Sequence, residues 1–194
     1  MNPALPAGLW CGLLLGAQLL RARALGRRPL FAPAAGDPAA GVRYAFTGAM
    51  LPWAKESVRL NPGSYAAGIA YHLGIAAAFA LVFVPSRALA ALALLGALAG
   101  CSLLAKRIVM PHLRGLSNAD DFVSNALATA FAGIAAAGPA TSRILPWACA
   151  ALLVYIPLGK IRHCAFFFLS RYHLGAFFGR RGTFPPAAQE RLHG

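Results

Sequence analysis

What most constrains this chain is the way its charge is laid out between its apolar runs. Lys and Arg number 18 against five acidic residues, a net charge of +13, yet 59% of the 194 residues are hydrophobic. A soluble domain of this length has no interior large enough to hide that much apolar surface, whereas lipid solvates it directly. A nucleic-acid binder gathers its cations on one wet face. Here they fall in the gaps between apolar runs, where they act as topology determinants, and nucleic acid is not expected as a partner.

The sequence predicts an all-α membrane protein, a single membrane domain over 1–194 with five transmembrane helices. The expected spans are 3–20, 64–84, 88–105, 120–139 and 144–167, and 168–194 is expected as a basic cytoplasmic tail. The first run carries no charge before it and Arg21 and Arg23 after it. That is the reverse of a cleaved signal peptide, so it reads as a retained helix. A polar connector with Pro29, Pro33, Gly36 and Pro38 follows. Asn61-Pro62-Gly63 is a turn signal before the second span, and Pro85-Ser86-Arg87 ends that span.

Basic residues lie almost wholly on one side. The connector after span one holds Arg21, Arg23, Arg27, Arg28, Arg43, Lys55 and Arg59. That after span three holds Lys106, Arg107 and Arg114. The end of span five and the tail hold Lys160, Arg162, Arg171, Arg180, Arg181 and Arg191. The other side has Arg87 and Arg143. The positive-inside rule then puts the N-terminus outside and the C-terminus in the cytoplasm.

Span four is rich in small residues, Ala126, Ala128, Ala130, Ala132, Gly133 and Gly138, which let helix backbones approach closely in lipid. Its Ser124 and Asn125 should face protein. Ser117 or Asn118 is expected to cap it, with Asp120 and Asp121 in the first turn where they complement the helix dipole. Cys11, Cys101, Cys149 and Cys164 make no C-x-x-C pair and no C-x-x-C-H haem-attachment motif, and read mostly as buried small residues.

The span interiors hold almost no ionisable groups, the exceptions being His72 in span two and His163 near the end of span five. An ionisable side chain inside a membrane segment marks function by default. His72 lies eight residues beyond Ser64, about 12 Å into an outward-running helix at 1.5 Å per residue. His163 lies just before the cytoplasmic end of the inward-running span five. Two imidazoles at matched depth on different helices suit the two axial positions of one haem iron, and both must be neutral to ligate. The competing role for each is a hydrogen bond to a backbone carbonyl. Ala66, Ala67, Gly68, Ala70 and Gly74 around His72 offer room for a flat macrocycle, and serve ordinary helix packing equally well. Lys160, Arg162 and Arg59 are candidate contacts for haem propionates, alongside their role in topology. His112, His173 and His193 fall outside the spans, with His173 a reserve ligand. The aromatic and basic stretch from Phe166 to Arg181 reads as an interfacial anchor or a docking surface for a cytoplasmic partner. No nucleophile–base pair and no phosphate loop is evident.

Over residues 60–181 the chain resembles the gamma subunit of respiratory nitrate reductase, a five-helix membrane cytochrome b. Tyr71-His72-Leu73-Gly74-Ile75 is similar to that family's F-H-I-G-I stretch, whose histidine binds the inner haem. Lys106-Arg107 and Pro111-x-x-Arg114 resemble its basic connector, and Asp121 its aspartate opening span four. Pro157-Leu158-Gly159-Lys160-Ile161-Arg162-His163 resembles P-F-S-R-L-V-H, which ends in the other inner-haem ligand. Both outer-haem positions differ: Val82 stands ten residues after His72, and Leu145 eighteen before His163. The resemblance implies one haem b near the cytoplasmic face, quinone as substrate, and an iron–sulfur or flavoprotein subunit as cytoplasmic partner. The chain would be the electron-transfer subunit of a quinol-linked oxidoreductase. Two alternatives stand beside this: a haem-free membrane anchor or assembly subunit, and a small transporter. The transporter is disfavoured by the lack of an inner carboxylate or a midplane break.

Overall fold

Every described element is a helix or a helical turn, as the apolar runs require, because a lipid-exposed backbone must satisfy its own hydrogen bonds. The structure, a computed structural model, describes residues 2–26, 31–138 and 143–186. Expectations for Arg27, Arg28, Pro29, Arg191, His193 and the last residue of span 120–139 lie outside the described residues. Three described helices are long and apolar enough to cross a membrane: α1 (Ala4–Ala24), α4 (Pro62–Leu81) and α5 (Arg87–Val109). The count rises to four if α8 (Leu145–Tyr155) and the segment Lys160–Arg180 form one interrupted span. Helix α7 (Ala119–Ala136) occupies the expected fourth span but is not among these; Asp120, Asp121, Ser124, Asn125 and Thr129 dilute its apolar character.

The expected span 144–167 is not one helix. Pro157 has no N–H to continue the ladder, and α8 stops two residues before it. A 3-10 turn at Lys160–Arg162 follows, and α9 (His163–Arg180) begins at His163 itself. Much of the expected tail is thus helical, to Arg180.

The chain divides into two units, Met1–Ala17 with Gly63–Arg162, and Gln18–Pro62 with His163–Gly194. In the first unit, α4, α5, α7 and α8 form an alanine-rich bundle, with the short α6 (Pro111–Gly115) between α5 and α7. Ser86 caps α5 by accepting from the Leu89 N–H at 3.4 Å. Helices α4 and α5 cross where Gly74 meets Gly96: a Cβ on Gly96 would lie 2.5 Å from the Gly74 Cα. Ala93 and Ala97 of α5 and Ala128, Ala132 and Ala135 of α7 are buried in the same core. Phe131, 1% exposed, fills its middle with its ring 4.8 Å from that of Phe79. Leu145, Cys149 and Leu152 bury the inner face of α8, and Ala4 and Cys11 of α1 join the cluster.

In the second unit, α2 (Pro38–Phe46) runs along α9. Asp37 caps α2, accepting from the Ala39 and Ala40 N–H groups at 2.8 and 3.1 Å, with Pro38 at the first helical position. Gly41 faces Gly175 and Gly179 so closely that a Cβ on Gly179 would lie 2.8 Å from the Gly41 Cα. The Arg180 carbonyl accepts from the N–H groups of Ala35 and Gly36 at 2.8 and 3.0 Å. Two 3-10 turns and α3 (Glu56–Leu60) complete the connector.

Candidate functional site

His72 sits on the exposed side of α4, in the stripe Ala66, Ile69, His72, Leu73 and Ala76. Its neighbour Tyr71 points the other way, into the bundle, 9% exposed. The Tyr71 hydroxyl donates to the Asn125 carbonyl at 2.9 Å, and Thr129 Oγ1 lies 3.2 Å from that hydroxyl and 3.0 Å from Asn125 Oδ1. As expected, Asn125 faces protein. This anchor fixes the rotation of α4 and therefore the direction in which His72 leaves it.

The His72 ring is itself oriented. Nδ1 lies 2.7 Å from the Gly68 carbonyl oxygen, one helical turn back. A carbonyl only accepts, so the bond has Nδ1 as its donor, and an imidazole that is neutral in this arrangement has its lone pair on Nε2. Histidines that bind metal are commonly steered by such a bond from the second ring nitrogen.

His163, the first residue of α9, is exposed and belongs to the second unit. Arg162, Arg59, His112 and His173 are exposed as well. Among the described residues, no group of three or more His, Cys, Asp or Glu side chains is placed to hold a metal ion. A haem asks less of the protein, because the porphyrin supplies four nitrogens and the chain only the axial pair.

The polar residues of the first unit gather at the end where α4 and α7 begin and α5 and α8 finish. Lys106 Nζ donates to Ser64 Oγ at 2.5 Å, tying α5 to α4. Arg107 donates to Ser117 Oγ at 2.7 Å and lies 3.7 Å from Asp121 Oδ1. Asn118 and Asp121 form a reciprocal capping box, both bonds 3.0 Å, so Asn118 is the cap of the expected pair. Lys160, a candidate propionate contact by sequence, is ion-paired to Asp121, and the Tyr155 hydroxyl donates to Asp120. Sequence reasoning missed the partners of both aspartates. The available signal was two adjacent acids in a chain that has five in all.

No protein family, characterised protein or solved structure matches this chain.

Proposed function

We propose that the chain is a haem-b membrane subunit that carries electrons between the quinone pool and an iron–sulfur or flavoprotein partner on the cytoplasmic side. His72 and His163 are its axial ligands. In this reading α7 and residues 144–167 supply the fourth and fifth crossings, with the N-terminus outside a bacterial or archaeal inner membrane. The observation that supports it is the contact of His72 Nδ1 with the Gly68 carbonyl, a bond that serves the structural role equally. In a neutral imidazole that bond leaves Nε2 as the nitrogen able to ligate. The resemblance of the segments around His72 and His163 to the nitrate reductase gamma family supports the same pair. When bound, the haem supplies one-electron exchange at its iron, at a potential set by ligands, burial and nearby charge.

The test is the absorption spectrum of the purified full-length chain. A b-type spectrum with about one haem per chain is expected from a single ligand pair. His72→Ala and His163→Ala should each abolish it. Full haem retention in both variants would overturn the assignment and move ligation elsewhere, with His173 the first place to look. The exposed Phe167, Phe168 and Tyr172 of α9 favour a second reading, a haem-free anchor. A protein that never acquires haem when produced with an adequate supply would select it.

A further inference from the structure

Asp120 and Asp121 open α7, yet Asp120 reaches the last residue of α8 and Asp121 the turn that follows it. The Tyr155 hydroxyl donates to Asp120, and the Lys160 ammonium is paired with Asp121. Between these two points the chain makes a tight turn. The N–H groups of Leu158 and Gly159 both bond the Tyr155 carbonyl, at 2.9 and 3.0 Å, and Arg162 N–H bonds the Gly159 carbonyl at 3.3 Å. Pro157 is fully buried, and the Tyr155 ring lies where a Cβ on Gly159 would go. The turn ends at Arg162, and the next residue is His163.

Asp121 is built to hold still. The residue is 6% exposed, and one of its oxygens, Oδ2, accepts from the Asn118 N–H that closes the capping box. Its other oxygen, Oδ1, faces Lys160, with Arg107 at 3.7 Å. A carboxylate fixed by its own helix cap is a rigid post for a flexible ammonium. We propose that Asp121, through Lys160, and Asp120, through Tyr155, are positioning residues that set the turn from which His163 departs. This rests on the reading of His163 as a haem ligand for its purpose, though not for its geometry. It also gives Lys160 a task within the protein in place of a propionate contact.

The test separates the two. Cys164 is exposed and adjoins His163, while Cys11 and Cys149 are buried, so Cys101→Ser leaves Cys164 as the one exposed thiol among the described residues. The rate at which membrane-permeant N-ethylmaleimide labels Cys164 in detergent then reports on the turn without reference to haem. Asp121→Asn keeps an oxygen for the Asn118 N–H and removes the charge that holds Lys160. It should raise the labelling rate about tenfold, the factor expected for loss of one charge-assisted hydrogen bond. Asp121→Glu, which suits the third position of a capping box, should return the rate close to that of the parent. Tyr155→Phe keeps the ring over Gly159, loses the bond to Asp120, and should raise the rate by a smaller factor; it also serves if Asp121→Asn does not fold. In the haem-loaded protein, Asp121→Asn should weaken the low-spin absorption of a bis-histidine iron at unchanged protein yield. Unchanged labelling in both Asp121→Asn and Tyr155→Phe overturns the positioning role, whatever the parent spectrum shows. A parent that carries no haem, with labelling raised as expected, removes the ligand reading and keeps the clamp.

Discussion

The two units solve the same problem in different ways. Apolar helices like those of the first unit gain little from the hydrophobic effect when they associate in lipid, so close packing and a few polar bonds must hold them together. In the first unit contact is spread over many side chains: Ala93, Ala97, Ala128, Ala132 and Ala135 line the α5–α7 seam, and Phe131 and Phe79 fill the space between helices. In the second unit the α2–α9 contact is backbone on backbone, with Gly41 against Gly175 and Gly179. A seam of side chains loses stability in portions when one is changed. A glycine contact has no slack, because no side chain stands between the two backbones to adjust.

The largest effect should come from the glycine contact. Gly41→Leu puts a branched side chain where the Gly175 carbonyl and the Gly179 backbone already lie. Overpacking against side chains costs about 1–3 kcal/mol, and here the obstacle is backbone, so the loss should exceed that range. Protease should then cut within residues 31–60 and 163–186 in detergent, while the segment from Arg87 to Ala136 stays protected. Equal protection of both units in the variant would show that the glycine contact does not hold the second one.

Phe131→Ala tests the other side of the comparison. The ring is 1% exposed and packed on Phe79. A loss of about 3–5 kcal/mol is expected from removing a buried phenyl, measured as a lower midpoint of denaturation in mixed micelles. The bundle should remain assembled at room temperature, since its alanine seams are untouched. Collapse of the whole first unit would mean that its packing is as brittle as that of the second.

How much of this was legible in the sequence follows the same division. Helices α1, α4, α5 and α7 lie within a few residues of the expected spans, because each is a single apolar run bounded by its own caps or charges. Asn118 and Asp121 were readable as a cap and a first-turn acid for the same local reason. The break after Tyr155 was hidden because hydropathy sums over Pro157 and Gly159 without registering that one lacks a donor and the other lies under a tyrosine ring. The second unit was invisible as a unit. Its contact joins Gly41, from a polar connector, to Gly175 and Gly179 in an expected tail, more than 130 residues away; the four-residue spacing of the latter two marks a packing face but not its partner. At the candidate site, His72 stood out as an ionisable group in an apolar helix, and its Gly68 carbonyl lies at helical spacing. The pairing of Lys160 with Asp121 depends on how α7 meets the turn after α8, which is a property of the assembled bundle.

The smallest effect sharpens the comparison most. Thr129 Oγ1 lies within hydrogen-bond distance of both Tyr71 and Asn125, at the buried face of α4 opposite His72. Thr129→Val keeps the shape of the side chain and removes the hydroxyl, while Tyr71 still donates to the Asn125 carbonyl. Side-chain hydrogen bonds between membrane helices contribute about 0.6 kcal/mol on average, so the variant should lose roughly that much. A double-mutant cycle with Tyr71→Phe isolates the Tyr71–Thr129 term from any change in packing. If the coupling is near the average, the first unit is held by its seam of small side chains, and Tyr71 serves to set the rotation of α4 and the direction of His72. A coupling above about 2 kcal/mol would exceed the range found for such bonds in membranes. The polar network would then be the principal tie of the bundle, and both units would depend on a single close contact after all.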